Sequence, residues 1–161
     1  MEILFGLIDA SAVATLAIWA VVAVGDNWRF PKMNREAVAM VVRMDMLEAD
    51  FPEDFAYVAH RRVADPKRID FLFQLIRMVE TISAAMLCLS VILLFIAALS
   101  AAGGEFALGF AALSVMGFGG IWAAFIIGGN WFAYWYCHQW AQSNHFMLLS
   151  WSFFVLLILL N

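Results

Sequence analysis

Residues 71–99 read FLFQLIRMVETISAAMLCLSVILLFIAAL. A helix that crosses the bilayer needs about 20 mostly apolar residues to span about 30 Å of hydrocarbon. This stretch is long enough, and such an apolar run is too long for a globular core. It is interrupted mainly by Gln74, Arg77 and Glu80, and Asp65-Pro66 is a helix-start signal just before it. The stretch therefore predicts a long transmembrane helix, with a span at about 69–99.

Three further segments satisfy the same length criterion, at about 3–24, 106–127 and 146–160. The chain of 161 residues is 65% apolar and 14% charged, whereas soluble domains carry about a quarter charged residues. Glu2 stands where a signal peptide has basic residues, so the first segment is expected to be a retained span. These features predict one domain over 1–161, an all-α integral membrane four-helix bundle surrounded by lipid.

The two longer connections are predicted to lie on one face of the bundle, because four spans bring them to the same side. The polar connection covers 26–68 and the aromatic connection 128–145, whereas only the short loop 100–105 joins the middle spans. Apolar residues repeat at helical spacing over 34–49, which predicts an amphipathic helix in the membrane interface, capped by Asn34. A second short helix is predicted to begin near Pro52.

The distribution of basic residues predicts an orientation. All nine Lys and Arg residues lie between Arg29 and Arg77. The positive-inside rule places this connection in the cytoplasm and both termini outside, in a bacterial inner membrane. The net charge of −4 gives no basic surface for nucleic acid.

Arg77 and Glu80 are the most informative polar residues of the second span. They are three residues apart, so they share a helical face and are expected to pair within the membrane segment. Two interpretations remain. The favoured one is a charge pair that locks helix packing near the interface, and the other is a proton-linked or transport site.

The three histidines, His60, His138 and His145, are the candidate cofactor residues, and all belong to the predicted polar face. A haem or metal site would need two of them to converge. The sequence contains no zinc motif, phosphate loop or nucleophile elbow. We therefore predict neither a metal site nor a catalytic residue, and we expect no cofactor other than bound lipid.

Aromatic and small residues suggest contact surfaces. Aromatic rings at helix ends anchor proteins at the headgroup level or dock a partner, and five candidates for this role are Trp28, Trp131, Phe132, Trp135 and Trp140. Gly120, Ala124 and Gly128 form a row of small residues that permits close helix contact, within the chain or between chains.

A set of short elements along the chain resembles a known family. They are Asn34, Met44-Asp45, Phe51-Pro52, Arg61, Pro66, Glu80 and the run Gly128-Gly129-Asn130-Trp131-Phe132. Together they resemble a bacterial family of predicted small integral membrane proteins with four spans. The resemblance implies the same fold and no particular activity. Asn130 replaces the Glu that the family typically has after its two glycines.

Three functional hypotheses follow from these residues. The leading one is a non-catalytic accessory subunit of a larger inner-membrane complex, of the respiratory or photosynthetic kind, bound to other membrane subunits and to lipid. The second is a small membrane redox protein that binds haem or a quinone through the histidines. The third is a small-solute or proton transporter that uses Arg77 and Glu80.

Overall fold

The four long helices of the computed structural model form the bundle. The structure describes residues 2–100 and 103–161. The long helices are α1 (Glu2–Arg29), α5 (Pro66–Ser100), α6 (Gly104–Trp131) and α8 (Gln139–Leu159). Each is long and apolar enough to cross a bilayer, and the described residues contain no strand. The predicted fold class is confirmed.

Small and branched residues make up the bundle core. On α1, Ala10, Val13 and Ala17 are buried against neighbouring helices. A Cβ added at Gly6 would lie 2.7 Å from the Cβ of Ala98, so α1 and α5 approach each other closely at this point. Lipid offers no hydrophobic driving force between helices, so this close packing is what stabilises the bundle.

A buried hydrogen bond joins α5 to α6 inside the core. The hydroxyl oxygens of Ser90 and Ser114 lie 2.9 Å apart. Ser114 donates its proton to the Phe110 carbonyl, and Ser90 shares its single proton between the Ser114 hydroxyl and the Met86 carbonyl. These short polar side chains are therefore satisfied in a low-dielectric environment.

Short helices cover one end of the bundle, and we call residues 31–61 the cap. They are α2 (Pro31–Arg43), α3 (Asp45–Asp50), α4 (Pro52–Val58) and a 3₁₀ turn at Ala59–Arg61. The prediction of one helix over 34–49 capped by Asn34 was wrong. Pro31 occupies the first turn of α2 and starts the helix, and the left-handed conformation of Met44 ends it.

Both apolar packing and charge hold the cap to α5. Ala39 and Val42 of α2 pack against Ile69 in a small buried cluster. The guanidinium of Arg35 forms an ion pair with Asp70. At the start of α5, Asp65 accepts a hydrogen bond from the backbone N–H of Lys67 at 3.0 Å, as expected of a helix cap.

The predicted aromatic connection is mostly helical. α6 continues to Trp131, and α8 already begins at Gln139, so the two long helices are separated only by residues 132–138 within the predicted connection 128–145. The break contains one short helix, α7 (Tyr134–Cys137), which follows the left-handed residue Ala133. The predicted short loop between the middle spans includes residues 101 and 102, which lie outside the described residues.

Candidate functional site: a cavity under the cap

A cavity of ≈ 500 Å³ separates the cap from the other half of the bundle. One wall consists of α2 with the ends of α1 and α5. The rest of the lining comes from α6, α7 and the first turns of α8. This volume lies within the range of cavities that bind small molecules, about 300–1,000 Å³.

Four buried side-chain atoms that belong to residues of the cavity lining have no hydrogen-bond partner among residues 2–100 and 103–161. We call them the unsatisfied polar atoms, and they are Asn34 Nδ2, Trp122 Nε1, Tyr134 Oη and His145 Nδ1. Trp122 and Tyr134 are only 5% and 2% exposed. A buried polar group without a partner costs about 1–3 kcal/mol, so four around one cavity are unusual for a native protein.

Three of these groups form a stack of rings on the α6–α8 wall. The imidazole of His145 lies between the Trp122 and Tyr134 rings, with centroid distances of 5.6 Å and 6.0 Å and nearly parallel planes. Gly129 makes room for this stack, because a Cβ there would lie 2.6 Å from the Tyr134 ring. Burial raises the pKa of the Tyr134 hydroxyl, which therefore stays protonated and can donate.

The end of α1 lies against Arg77 and Glu80. Asn27 Nδ2 donates to a Glu80 carboxylate oxygen, and the Arg77 guanidinium lies 3.9 Å from the centroid of the Trp28 ring. Among the ion pairs of the described residues, none joins Arg77 to Glu80. The expected pair is thus replaced by two separate contacts with α1. Glu80 lines the cavity, and both residues connect α1 to α5.

Two of the three predicted cofactor histidines line the cavity. They are His138 and His145, whereas His60 is exposed on the cap and lies away from the lining. Burial lowers the pKa of His138 below its usual value, so its ring is neutral near neutral pH. Within the described ranges, no group of three His, Cys, Asp or Glu side chains is arranged to hold a metal ion.

The predicted aromatic anchors occupy the capped end, in different environments. Trp131, Trp135 and Trp140 are exposed, and Phe132 packs against the cap. Arg61 fixes the end of α6, since its guanidinium donates to the Trp131 carbonyl at 3.1 Å. The Nε1 of Trp28 donates to Thr81 Oγ1 at 3.1 Å, so this ring also joins α1 to α5.

The predicted row of small residues faces away from the core of the chain. Gly120 and Ala124 are exposed, and a Cβ at Gly120 or Gly128 would meet no described atom within 4 Å. The close approaches on α6 occur one residue away, at Gly119 against Ser152 and at Gly129 against Tyr134. Ala124 and Gly128 border the cavity.

Four apolar helices with one polar end define a multi-pass integral membrane protein. Residues 5–161 match the family described as "Predicted small integral membrane protein (DUF2165)", and the chain belongs to that family. The resemblance seen in the sequence is confirmed. No match was found among curated proteins or among solved structures.

Proposed function

We propose that this protein is a non-catalytic membrane protein that binds a small amphipathic molecule in the cavity under the cap. The observation that carries the proposal is the volume of ≈ 500 Å³ under the cap, lined mostly by apolar side chains with a few polar ones such as Asn34, Glu80 and His138. A ligand that binds this cavity in the folded protein and not the unfolded chain would stabilise the folded protein in proportion to ligand occupancy.

The position of the cavity supports a ligand that comes from the membrane. The exposed residues of its lining include apolar Met40 and Trp140 and polar Asp26 and Asn144, so its opening is amphipathic at the level where the cap meets the bundle. Most of the lining is apolar, with a few convergent polar groups, which is the usual composition of a small-molecule site.

A thermal-shift experiment with one filling variant tests this function. Total lipid extract from the source membranes is added to delipidated protein, and the midpoint of unfolding is measured. Ala37→Trp places a large ring in the cavity lining, whereas Met33→Trp changes an exposed position of the same helix. The extract should raise the midpoint of the wild type and of Met33→Trp but not of Ala37→Trp. Equal shifts in all three proteins would contradict the proposal.

The second candidate is the accessory subunit of a larger inner-membrane complex. It is supported by the exposed row of Gly120 and Ala124, which permits close approach of a helix from another chain. Gly120→Leu should then abolish co-purification of a stoichiometric partner, and Val22→Leu at an exposed position of α1 should not. A chain that always purifies alone would remove this candidate.

The orientation and the transport hypothesis are also proposals. The nine bases between Arg29 and Arg77 support a cytoplasmic cap with both termini outside, in a bacterial inner membrane. A cysteine introduced at exposed Tyr57 should resist an impermeant reagent in intact cells and react in inverted vesicles. Transport through Glu80 would be excluded by an unaltered proton or solute flux in Glu80→Gln.

A further inference from the structure

The side chains around the cavity under the cap favour a ligand of one charge type. We infer that the cavity takes an organic cation, an ammonium group on an apolar body, an inference that rests on the proposed function and specifies its ligand. Three observations support this ligand class. They are the charge of the lining, the position of its two carboxylates and the aromatic rings beside them.

The lining carries negative charge without a compensating base. Its two acidic residues are Asp26 and Glu80, and among the described lining residues none is Lys or Arg. Neither acid forms an ion pair with another described residue. Burial lowers the pKa of His138, so this ring adds no positive charge near neutral pH. A cation would supply the missing counter-charge, whereas a phosphate or carboxylate head would meet like charge at low dielectric.

Both carboxylates belong to the α1–α5 wall of the cavity, and both are accessible. Asp26 is exposed and directly precedes Asn27, whose amide donates to one carboxylate oxygen of Glu80. The other Glu80 oxygen has no hydrogen-bond partner among the described residues, yet it is absent from their buried unpartnered atoms. This oxygen therefore retains accessible surface on a residue that lines the cavity, where it can contact an ammonium group.

Aromatic rings lie beside these carboxylates. Trp19, Ala23 and Asp26 are spaced four and three residues apart on α1 and all line the cavity, so the indole and the carboxylate share one helix face. The Trp19 ring packs against Trp122 with centroids 5.3 Å apart. Both rings and Glu80 also line a second, small void between α1, α5 and α6, so the second carboxylate lies near the same rings. The negative face of an aromatic ring attracts a cation, and an indole does so most strongly.

The remainder of the lining suits an apolar body. Val38 and Val41 of α2, Phe73 of α5 and Phe125 of α6 all contribute apolar surface. An ammonium head at the α1–α5 wall would thus be joined to a chain or ring system that this surface covers. Burial of the body adds hydrophobic affinity that a bare inorganic ion lacks.

Isothermal titration of the full chain in an uncharged detergent tests this assignment. The probes are a ten-carbon trimethylammonium, decanol and decanoate, which share the chain and differ in the charge of the head. Each is corrected for its uptake by protein-free micelles. We expect saturable binding of the ammonium, with the other two at least about tenfold weaker, because only the ammonium offsets the charge of the carboxylates.

Two variants and one matched control connect the binding to these carboxylates. Glu80→Gln removes the charge but keeps an acceptor for Asn27, and it should weaken ammonium binding about tenfold. Asp26→Asn should weaken it about twofold to threefold, because this carboxylate is exposed and screened by solvent. Glu53→Gln removes a charge at an exposed position of α4 outside the lining, so it should bind as the wild type does. Thermal unfolding of each variant verifies that it is folded.

The outcomes separate this inference from the proposed function. Equal affinity for the ammonium and decanol, or unchanged ammonium affinity in both carboxylate variants, would overturn the assignment of an organic cation. If membrane lipid extract still stabilises the wild type but not Ala37→Trp, the proposed function survives that result. If neither the ammonium nor the extract has an effect, both are wrong.

Discussion

Replacing Gly129 with alanine should disturb the ring stack on the cavity wall. The added Cβ would lie 2.6–2.7 Å from three atoms of the Tyr134 ring, closer than Cβ atoms approach other heavy atoms. Tyr134 is almost fully buried, so its ring can move only toward His145 or into the cavity. Overpacking of this kind costs about 1–3 kcal/mol.

The matched control is Gly120→Ala on the same helix. A Cβ there has no described atom within 4 Å, so this variant keeps only the gain in helix propensity of about 1 kcal/mol. Both variants share that gain, and the difference between their unfolding free energies therefore isolates the steric cost at Tyr134.

Thermal unfolding in one detergent, at one heating rate, measures that difference. A chain of this size shifts its midpoint by roughly 2–4 °C per kcal/mol, so Gly129→Ala should unfold several degrees below Gly120→Ala. Equal midpoints for the two variants would refute the packing of Tyr134 against Gly129.

Three further predictions follow from single groups around the cavity. Asn27→Leu removes the donor to Glu80 and should lower the unfolding free energy by about 1–3 kcal/mol; an unchanged value in chemical denaturation would contradict this contact. Tyr134→Phe deletes an unsatisfied hydroxyl and should raise the unfolding free energy of the delipidated protein by about 1 kcal/mol or more. A large loss of stability would show that the hydroxyl is already bonded. Because burial lowers the pKa of His138 below its ordinary 6.5, the unfolded chain binds this proton first as the pH falls. The contribution of neutral His138 to the unfolding free energy is therefore fully present above pH 6.5 and is lost progressively as the pH falls below that value. His138→Gln should reduce this decline in a series of melts from pH 7.5 to 5, and His60→Gln, at an exposed position, should not.

The fold could be predicted from the sequence because lipid imposes a simple length rule. Three of the four apolar runs lie within one of the long helices, and the fourth, 146–160, extends one residue beyond the end of α8. Pro52 and Pro66 start helices where their signals indicate. The cap was less predictable. A left-handed Met44 has no signature in the sequence, since that conformation normally favours glycine or asparagine, yet it divides the predicted helix in two.

The polar contacts of the second span depend on tertiary packing. A spacing of three residues shows that Arg77 and Glu80 share a face, but not that Asn27 and Trp28 reach that face from α1. Tertiary packing also decides which glycines of α6 make close contacts with other helices. A row of small residues identifies Gly120, whereas the buried side of the helix passes through Gly119 and Gly129, and only packing determines the rotation of α6.

The cavity itself has no signature in the sequence. Asn34 was expected as a helix cap and His145 as one of three equivalent histidines, and neither pattern connects them to Trp122 or Tyr134. Their convergence requires the cap to fold back over the ends of four separate helices.

Native mass spectrometry of the intact protein, extracted gently from its own membrane, tests the central claim most directly. The account predicts one discrete adduct per chain in the wild type and in Met33→Trp, with the mass of a small amphipathic molecule, and its loss in Ala37→Trp. A spectrum with only the bare chain and the same scattered lipid masses in all three proteins would contradict it.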